Sequence, residues 1–230
     1  MTAALKSAWD TAYLQRPANI CAGPYGPIYD FCIERRWLMR RVARLVWGID
    51  LAPLYSTMRA ISEANDGATI LDVPCGGGVA FRALRADQDV RYIAGDLSEQ
   101  MLERAKRRAE ERGLGQVEFA LADMQALPFA DGIADLVLSY SGLHMVDDPA
   151  SAVREIGRCL KPGGKLLGCT LLAEGTRRQR ALFAVGHWLG HSVPPHVSDL
   201  RQWLDAAGIV DTVIEPARGF GVFRGTKQIA

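Results

Sequence analysis

The sequence predicts an α/β protein, a mostly parallel sheet with helices on both faces, preceded by a helical segment. Three observations carry that prediction. First, the apolar run Ile70-Leu71-Asp72-Val73-Pro74-Cys75 stops at Gly76-Gly77-Gly78, and a helical pattern begins near Val79. That is a strand, a turn without side chains and a helix start, and glycine lets such a turn reach positive φ and come close to a ligand. Second, from Ala68 onward short β-branched runs alternate with helical periodicity, the mark of repeated βα units with right-handed crossovers. Third, 230 residues with 49% hydrophobic content and a formal net charge of +1 suit one domain with its own core. The balanced charge also argues against a general nucleic-acid binder, which carries a basic excess.

Taken in order, residues 1–28 carry Trp9, Tyr13 and Tyr25 among Pro17, Gly23, Pro24, Gly26 and Pro27, a short helix followed by an irregular loop. A helix is predicted from Tyr29 to Gly48. Leu38, Val42, Leu45, Val46 and Ile49 share one face and Arg36, Arg40 and Arg44 the other. Its basic face is read as solvated, with contact to an anionic membrane surface or a phosphorylated substrate as the alternative. Another helix is expected over 52–64, with Pro53 in its first turn. Residues 1–66 thus read as a helical cap or lid, and residues 67–230 as the core of one compact domain.

Within the core, strands are expected at Thr69–Val73, Val90–Gly95, Gln116–Ala122, Ala134–Ser139 and Lys165–Leu172. Helices are expected over 79–86, from the N-cap Ser98 to Arg112 with Gly113 as the stop, and over Pro149–Leu160. Asp131-Gly132 and Pro162-Gly163-Gly164 supply turns. Helices at Thr176–Gly190 and Ser198–Ala207 flank a loop with Pro194, Pro195 and His196. Residues 174–200 are a candidate lid over a bound acceptor. The apolar runs Ile209–Ile214 and Gly219–Arg224 close the chain.

Cys21, Cys32, Cys75, Cys159 and Cys169 are odd in number, scattered and without a Cys-x-x-Cys pair. Neither a disulfide framework nor a zinc site follows from them, and reduced thiols in a cytoplasmic protein fit best. No transmembrane segment or signal peptide is expected. His187 and His191 have the i, i+4 spacing of a helical metal pair, but no carboxylate accompanies them on that helix, so no metal is expected.

Two ligands suit the glycine turn, a dinucleotide and S-adenosylmethionine. The dinucleotide fingerprint needs a third glycine where this chain has Phe81, which would hold the helix off the strand. Asp96 at the end of the second strand offers two carboxylate oxygens to ribose hydroxyls, a device common to both ligands. Asp72-x-x-Cys75-Gly76-x-Gly78 resembles motif I of the class I S-adenosylmethionine-dependent methyltransferases. Four further segments resemble that family in the same order: Gly95-Asp96-Leu97 with Met101, Ala122-Asp123-Met124 before Leu127-Pro128-Phe129, Asp135 to Ser139, and Leu160-Lys161-Pro162-Gly163-Gly164. Together they cover residues 68–170 and resemble the small-molecule enzymes related to ubiquinone and menaquinone methyltransferases.

The resemblance implies a Rossmann-like sheet of order 3-2-1-4-5-7-6, with one antiparallel strand contributed by the last hairpin. It also implies S-adenosyl-L-methionine as cofactor and a small, partly apolar acceptor. The cofactor residues it implies are Asp72, Pro74, Cys75, Gly76, Gly78, Asp96, Leu97, Met101, Asp123, Met124 and Ser139. His144, after the fourth strand, is the candidate general base. Tyr13, Tyr25, His187 and His191 are candidate acceptor contacts. Two rival classes remain: a nicotinamide oxidoreductase, disfavoured by Phe81, and a non-catalytic scaffold, which would have no use for Asp72, Asp96 and Asp123.

Overall fold

The computed structural model describes residues 35–188 and 193–229. Strands β1 (Ala68–Asp72), β2 (Val90–Asp96), β3 (Val117–Leu121), β4 (Ala134–Tyr140), β5 (Leu160–Leu171), β6 (Ile209–Pro216) and β7 (Phe220–Lys227) form one sheet. Its order is β3-β2-β1-β4-β5-β7-β6, as the family resemblance implies. The first five strands run parallel, and β7 runs antiparallel to both β5 and β6.

Side chains alternate across the pleat, so each strand feeds two cores. Ile70, Tyr92 and Leu138 pack on one face with Ile61 and Phe81. Leu71, Val137, Leu166 and Phe223 pack on the other with Ile156 and Leu204. The helices that cover these faces are α4 (Glu99–Glu111) and α5 (Pro149–Cys159), with α6 (Arg177–Trp188) and α7 (Val197–Ala206) after β5. Ser98 caps α4 by accepting the Met101 N–H, and Asp148 does the same for α5 through Ser151. Thr176 and Gln179 form a reciprocal capping box at the start of α6.

Before the sheet, α1 (Arg36–Val42) runs into a π-helical turn (Ala43–Trp47) that ends at Gly48, φ +69°. The expected start at Tyr29 lies outside the described residues. The single helix expected over 52–64 is two short ones, α2 (Ala52–Thr57) and α3 (Arg59–Ser62). The break follows from Ser56 and Thr57, whose hydroxyls donate to the carbonyls of Pro53 and Leu54 at 2.6 and 2.7 Å. Such back-bonding competes with the helical ladder.

Two other expectations are corrected. The helix expected over 79–86 is a 3-10 turn, Val79–Ala83. Phe81 therefore does not push a long helix away from β1. It is fully buried, edge-to-face on Tyr92 (5.4 Å) and Phe119 (6.3 Å). The fifth strand begins at Leu160 rather than Lys165, because Ala134 already pairs with Leu160 before the register shifts at Pro162-Gly163-Gly164.

Candidate active site at the carboxyl ends of the strands

The carboxyl ends of β1, β2, β3 and β4 converge where the strand order reverses, and two cavities lie there. A recess of about 50 Å³ is lined by Leu97, Ala122, Asp123, Met124, Gly142 and Val146 among others. A chamber of about 370 Å³ is lined by Asp72, Gly76 and Met101 on the sheet side. Met39, Ala43, Trp47, Leu54, Tyr55 and Met58 close it from the helical cap, and Tyr140, His144, Leu171 and Phe220 from the other strands. Pro74, Asp96 and Met145 line both, so recess and chamber adjoin at Asp96 as the two halves of one trough.

Asp96 is 4% exposed and organises this trough. One carboxylate oxygen accepts the Gly76 N–H at 2.8 Å and the other the Ser98 N–H at 2.9 Å, tying the glycine turn to the start of α4. A carboxylate has about four lone-pair sites, so Asp96 keeps capacity for a ligand hydroxyl. Burial raises its pKa to about 6, against the lowering effect of those N–H donors. Gly76, with φ +54°, has nothing within 4 Å of where a Cβ would stand. A side chain there would project into the chamber, and the bare backbone leaves that space to a ligand. Gly78, φ +79°, only shapes the turn, since a Cβ would sit 2.5 Å from the Phe81 ring. Arg108 of α4 braces the same turn from behind by donating to the Gly77 carbonyl.

Asp72 is deeper still, at 1% exposed. Its Oδ2 accepts the Tyr92 hydroxyl at 2.8 Å, while its Oδ1 is buried with no hydrogen-bond partner. Burial raises this carboxyl to about 7, opposed by Tyr92 and reinforced by nearby Asp96. An unpartnered buried carboxylate oxygen on a cavity wall is costly unless a donor arrives with a ligand. At the far end of the trough, Asp123 accepts the Gln125 N–H at 2.9 Å and keeps acceptor capacity toward the recess.

The structure brings together most of the residues the sequence singles out: Asp72, Pro74, Cys75, Gly76, Asp96, Leu97, Met101, Asp123, Met124 and His144 all line the trough. Ser139 does not. Alternation along β4 puts it with Val137, on the face opposite Tyr140, fully buried and with its hydroxyl unpartnered. Tyr13, Tyr25 and His191 lie outside the described residues. His187 falls within α6, and its side chain lies outside them too. Among the described residues no cluster of three metal-ligating side chains occurs.

His144 is buried, and the Leu171 N–H donates to its Nδ1 at 3.4 Å, with the Thr170 hydroxyl 3.2 Å from the same nitrogen. These two contacts hold the ring by its Nδ1 side against β5. Sequence reading misses this clamp, along with the Tyr92 bond to Asp72 and the apolar wall from α2. Each depends on strand register or on the cap's docking, for which the chain has no local signal.

Residues 71–168 match the family model described as a methyltransferase domain. Over these residues the chain is similar to methyltransferase domains, and its seven-stranded sheet has the strand order of the class I methyltransferase fold. A demethylmenaquinone methyltransferase of Clavibacter sepedonicus is 40% identical over 114 residues, covering 50% of this chain and 45% of that protein. A malonyl-[acyl-carrier protein] O-methyltransferase of Hahella chejuensis is 38% identical over 117 residues, 50% of this chain and 41% of that one. The chain thus spans less than half the length of these curated relatives. Among solved structures, Haemonchus contortus phosphoethanolamine N-methyltransferase 2 with S-adenosyl-L-methionine superposes with a TM-score of 0.65 at 17% identity, over 76% of this chain and 53% of that one. The [4+2]-cyclase SpnF superposes with a TM-score of 0.64 at 21% identity, over 77% and 81%. At such identities the likeness is one of fold.

Proposed function

We propose that this methyltransferase domain uses S-adenosylmethionine to methylate a small, largely apolar acceptor. The observation that carries the reading is the pair of adjoining cavities at the strand ends, with Asp72, Asp96 and Asp123 on their walls and a largely apolar lining in the larger one. The residues present fit the cofactor. Asp123 with Leu97 and Met124 would hold its adenine, Asp96 its ribose, and the bare Gly76 backbone its methionine part. The unpartnered oxygen of Asp72 would take its ammonium. When bound, S-adenosylmethionine supplies an electrophilic sulfonium methyl, so the chain's task is mainly to hold an acceptor in line and dry.

Met39, Ala43, Trp47, Leu54, Met58, Leu171 and Phe220 give the chamber an apolar wall that excludes water. The Tyr140 hydroxyl sits 3.1 Å from Thr57 Oγ1, and burial keeps this phenol protonated far above neutral pH. His144, held through Nδ1 against β5, lines the same chamber and is the candidate general base. Tyr140 and His144 thus give an otherwise largely apolar chamber polar contacts for an oxygen-bearing acceptor. Residues 1–66 serve as the cap over this chamber and 174–200 as its lid, with Tyr13, Tyr25, His187 and His191 as further acceptor contacts. Three buried free thiols, Cys75, Cys159 and Cys169, accord with a reducing, cytoplasmic setting.

Calorimetry with S-adenosylhomocysteine and NAD side by side tests the cofactor half of this reading. Binding of the first and none of the second is expected, and tighter binding of NAD would end it.

A further inference from the structure

The cap carries a second surface, on its far side from the chamber. Trp37, Arg41 and Leu45 follow one another at i, i+4 spacing along α1 and its π-helical end, and so share one face. Met39, Ala43 and Trp47 share the opposite face and line the chamber. The outer face is apolar yet uncovered: Trp37 is 62% exposed, Leu45 72% and Val46 46%. Helix α6 extends it. The Arg178 guanidinium donates to the Leu45 carbonyl at 3.1 Å, and Arg178, Leu182 and Val185 form an outward ridge, with Val185 55% exposed.

Charge is concentrated on the same two elements. Arg35 to Trp47 holds five arginines and no acid, and Arg177 to Trp188 three more and no acid. Eight of the chain's 27 cationic residues stand here, so with 26 acids the remainder carries a formal charge of 19 − 26 = −7 against the overall +1. Asp50 offsets one of the eight, lying 3.5 and 3.4 Å from Arg40 and Arg44. The Arg41 guanidinium lies 6.0 Å from the Trp37 ring centroid, which keeps cation and aromatic at one level.

We infer that the outer face of α1, its π-helical end and α6 docks on an anionic lipid bilayer. Solvation accounts for arginines but not for a tryptophan and three aliphatic side chains held in water among them. Nucleic acid would take the guanidiniums and could stack the indole, yet gains nothing from Leu45, Val46 and Val185. An anionic bilayer uses all three chemistries at once. Arginines meet headgroup phosphates, Trp37 sits at the interface, and the aliphatic side chains reach the acyl boundary. No helix among the described residues is long and apolar enough to cross a membrane, so the contact is peripheral. The chamber wall made by Met39, Ala43 and Trp47 then lies one helix thickness from the lipid, placing its apolar interior beside a reservoir of apolar acceptors. The docking itself does not depend on which reaction the chamber runs.

Vesicle flotation of the full chain tests it, comparing phosphatidylcholine vesicles with and without about 30 mol% phosphatidylglycerol. Binding at least about tenfold stronger to the anionic vesicles is expected, falling as salt rises. The double variant Trp37→Glu, Leu45→Glu should lose that preference while keeping its melting midpoint and its affinity for S-adenosylhomocysteine. Val185→Asp, on the second ridge, should weaken flotation independently and covers the case in which the double variant misfolds. Equal binding or no binding to the two vesicles would overturn the inference. So would wild-type flotation by folded variants, or tighter binding to single-stranded DNA than to anionic vesicles at the same salt.

Discussion

Replacing Asp72 by asparagine separates what this residue does for the fold from what it does for the ligand. Its carboxyl titrates at about 7 in the folded protein against an ordinary 3.8, because burial disfavours its charge. The folded state therefore holds a proton that the unfolded chain releases between those values. Asp72's contribution to stability is fully present below about pH 4 and is lost as pH rises through 7. A shift of roughly 3 units at about 1.4 kcal/mol each is on the order of 4 kcal/mol lost by neutral pH. The asparagine variant has no such charge to bury, and any misfit of its amide is the same at every pH. The stability of Asp72→Asn relative to the parent should climb by about 2 kcal/mol between pH 4 and 5.5, and level off near 4 kcal/mol above pH 7. Asp96, raised to about 6 for the same reason, is present in both proteins and largely cancels in the difference. Urea unfolding of the ligand-free proteins at pH 4, 5.5, 7 and 8 reads the slope directly. At pH 8 the same variant should bind S-adenosylhomocysteine more weakly by about 1.5 to 3 kcal/mol, the scale of a hydrogen bond to a charged group. A stability difference independent of pH, or one that moves against the variant as pH rises, would refute the placement of a strained carboxylate on the cavity wall.

Three further outcomes are expected. Asp96→Ala should weaken S-adenosylhomocysteine by about 1 to 3 kcal/mol in calorimetry; unchanged affinity would make Asp96 a turn residue alone. Gly142→Ala places a Cβ 2.3 Å from Pro74 Cδ and 3.2 Å from Met124 Sδ, so a loss of about 1 to 3 kcal/mol in denaturant unfolding should accompany a narrowed recess and weaker cofactor binding. Thr170→Val removes one hydroxyl from His144 Nδ1 and should lower turnover while leaving S-adenosylhomocysteine affinity intact; a parallel fall in both would mean Thr170 supports the fold rather than the ring's orientation.

Strand positions and the cofactor half of the trough are legible in the sequence because each rests on short, contiguous signals, whereas the sheet order comes from the family resemblance. An apolar run ending in Gly76-Gly77-Gly78 announces its own turn, and Asp96 and Asp123 stand at strand ends that periodicity locates. Sequence reading goes astray where local and distant contacts compete. Residues 52–64 have helical periodicity throughout, but the hydroxyls of Ser56 and Thr57 take the carbonyls that a continuous helix would need. Phe81 is an obstacle only if a long helix follows the turn, whereas the chain makes a 3-10 turn and buries the ring against Tyr92. Ser139 stands at a strand end like the site's carboxylates, and the two-residue alternation of β4 turns it the other way. The acceptor chamber is the least legible part. Its walls come from α1, α2, β5 and β7, and no stretch of sequence announces that these meet.

One buried amide ties together segments at the edge of that chamber. Gln179 is 2% exposed, and its Nε2 donates to the Trp47 carbonyl at 2.9 Å, to the Gly48 carbonyl at 3.4 Å and to the Arg218 carbonyl, while its Oε1 accepts the Thr176 N–H. Three chain segments far apart in sequence are thereby riveted at a single point: the end of the cap helix, the start of α6 and the turn between β6 and β7. Helix α6 does not swing outward alone without stranding that amide away from both water and partners, at about 1 to 3 kcal/mol. The end of the cap helix, the start of α6 and the β6–β7 turn are thus held as one part, and displacing any of them alone breaks the bonds of that one amide.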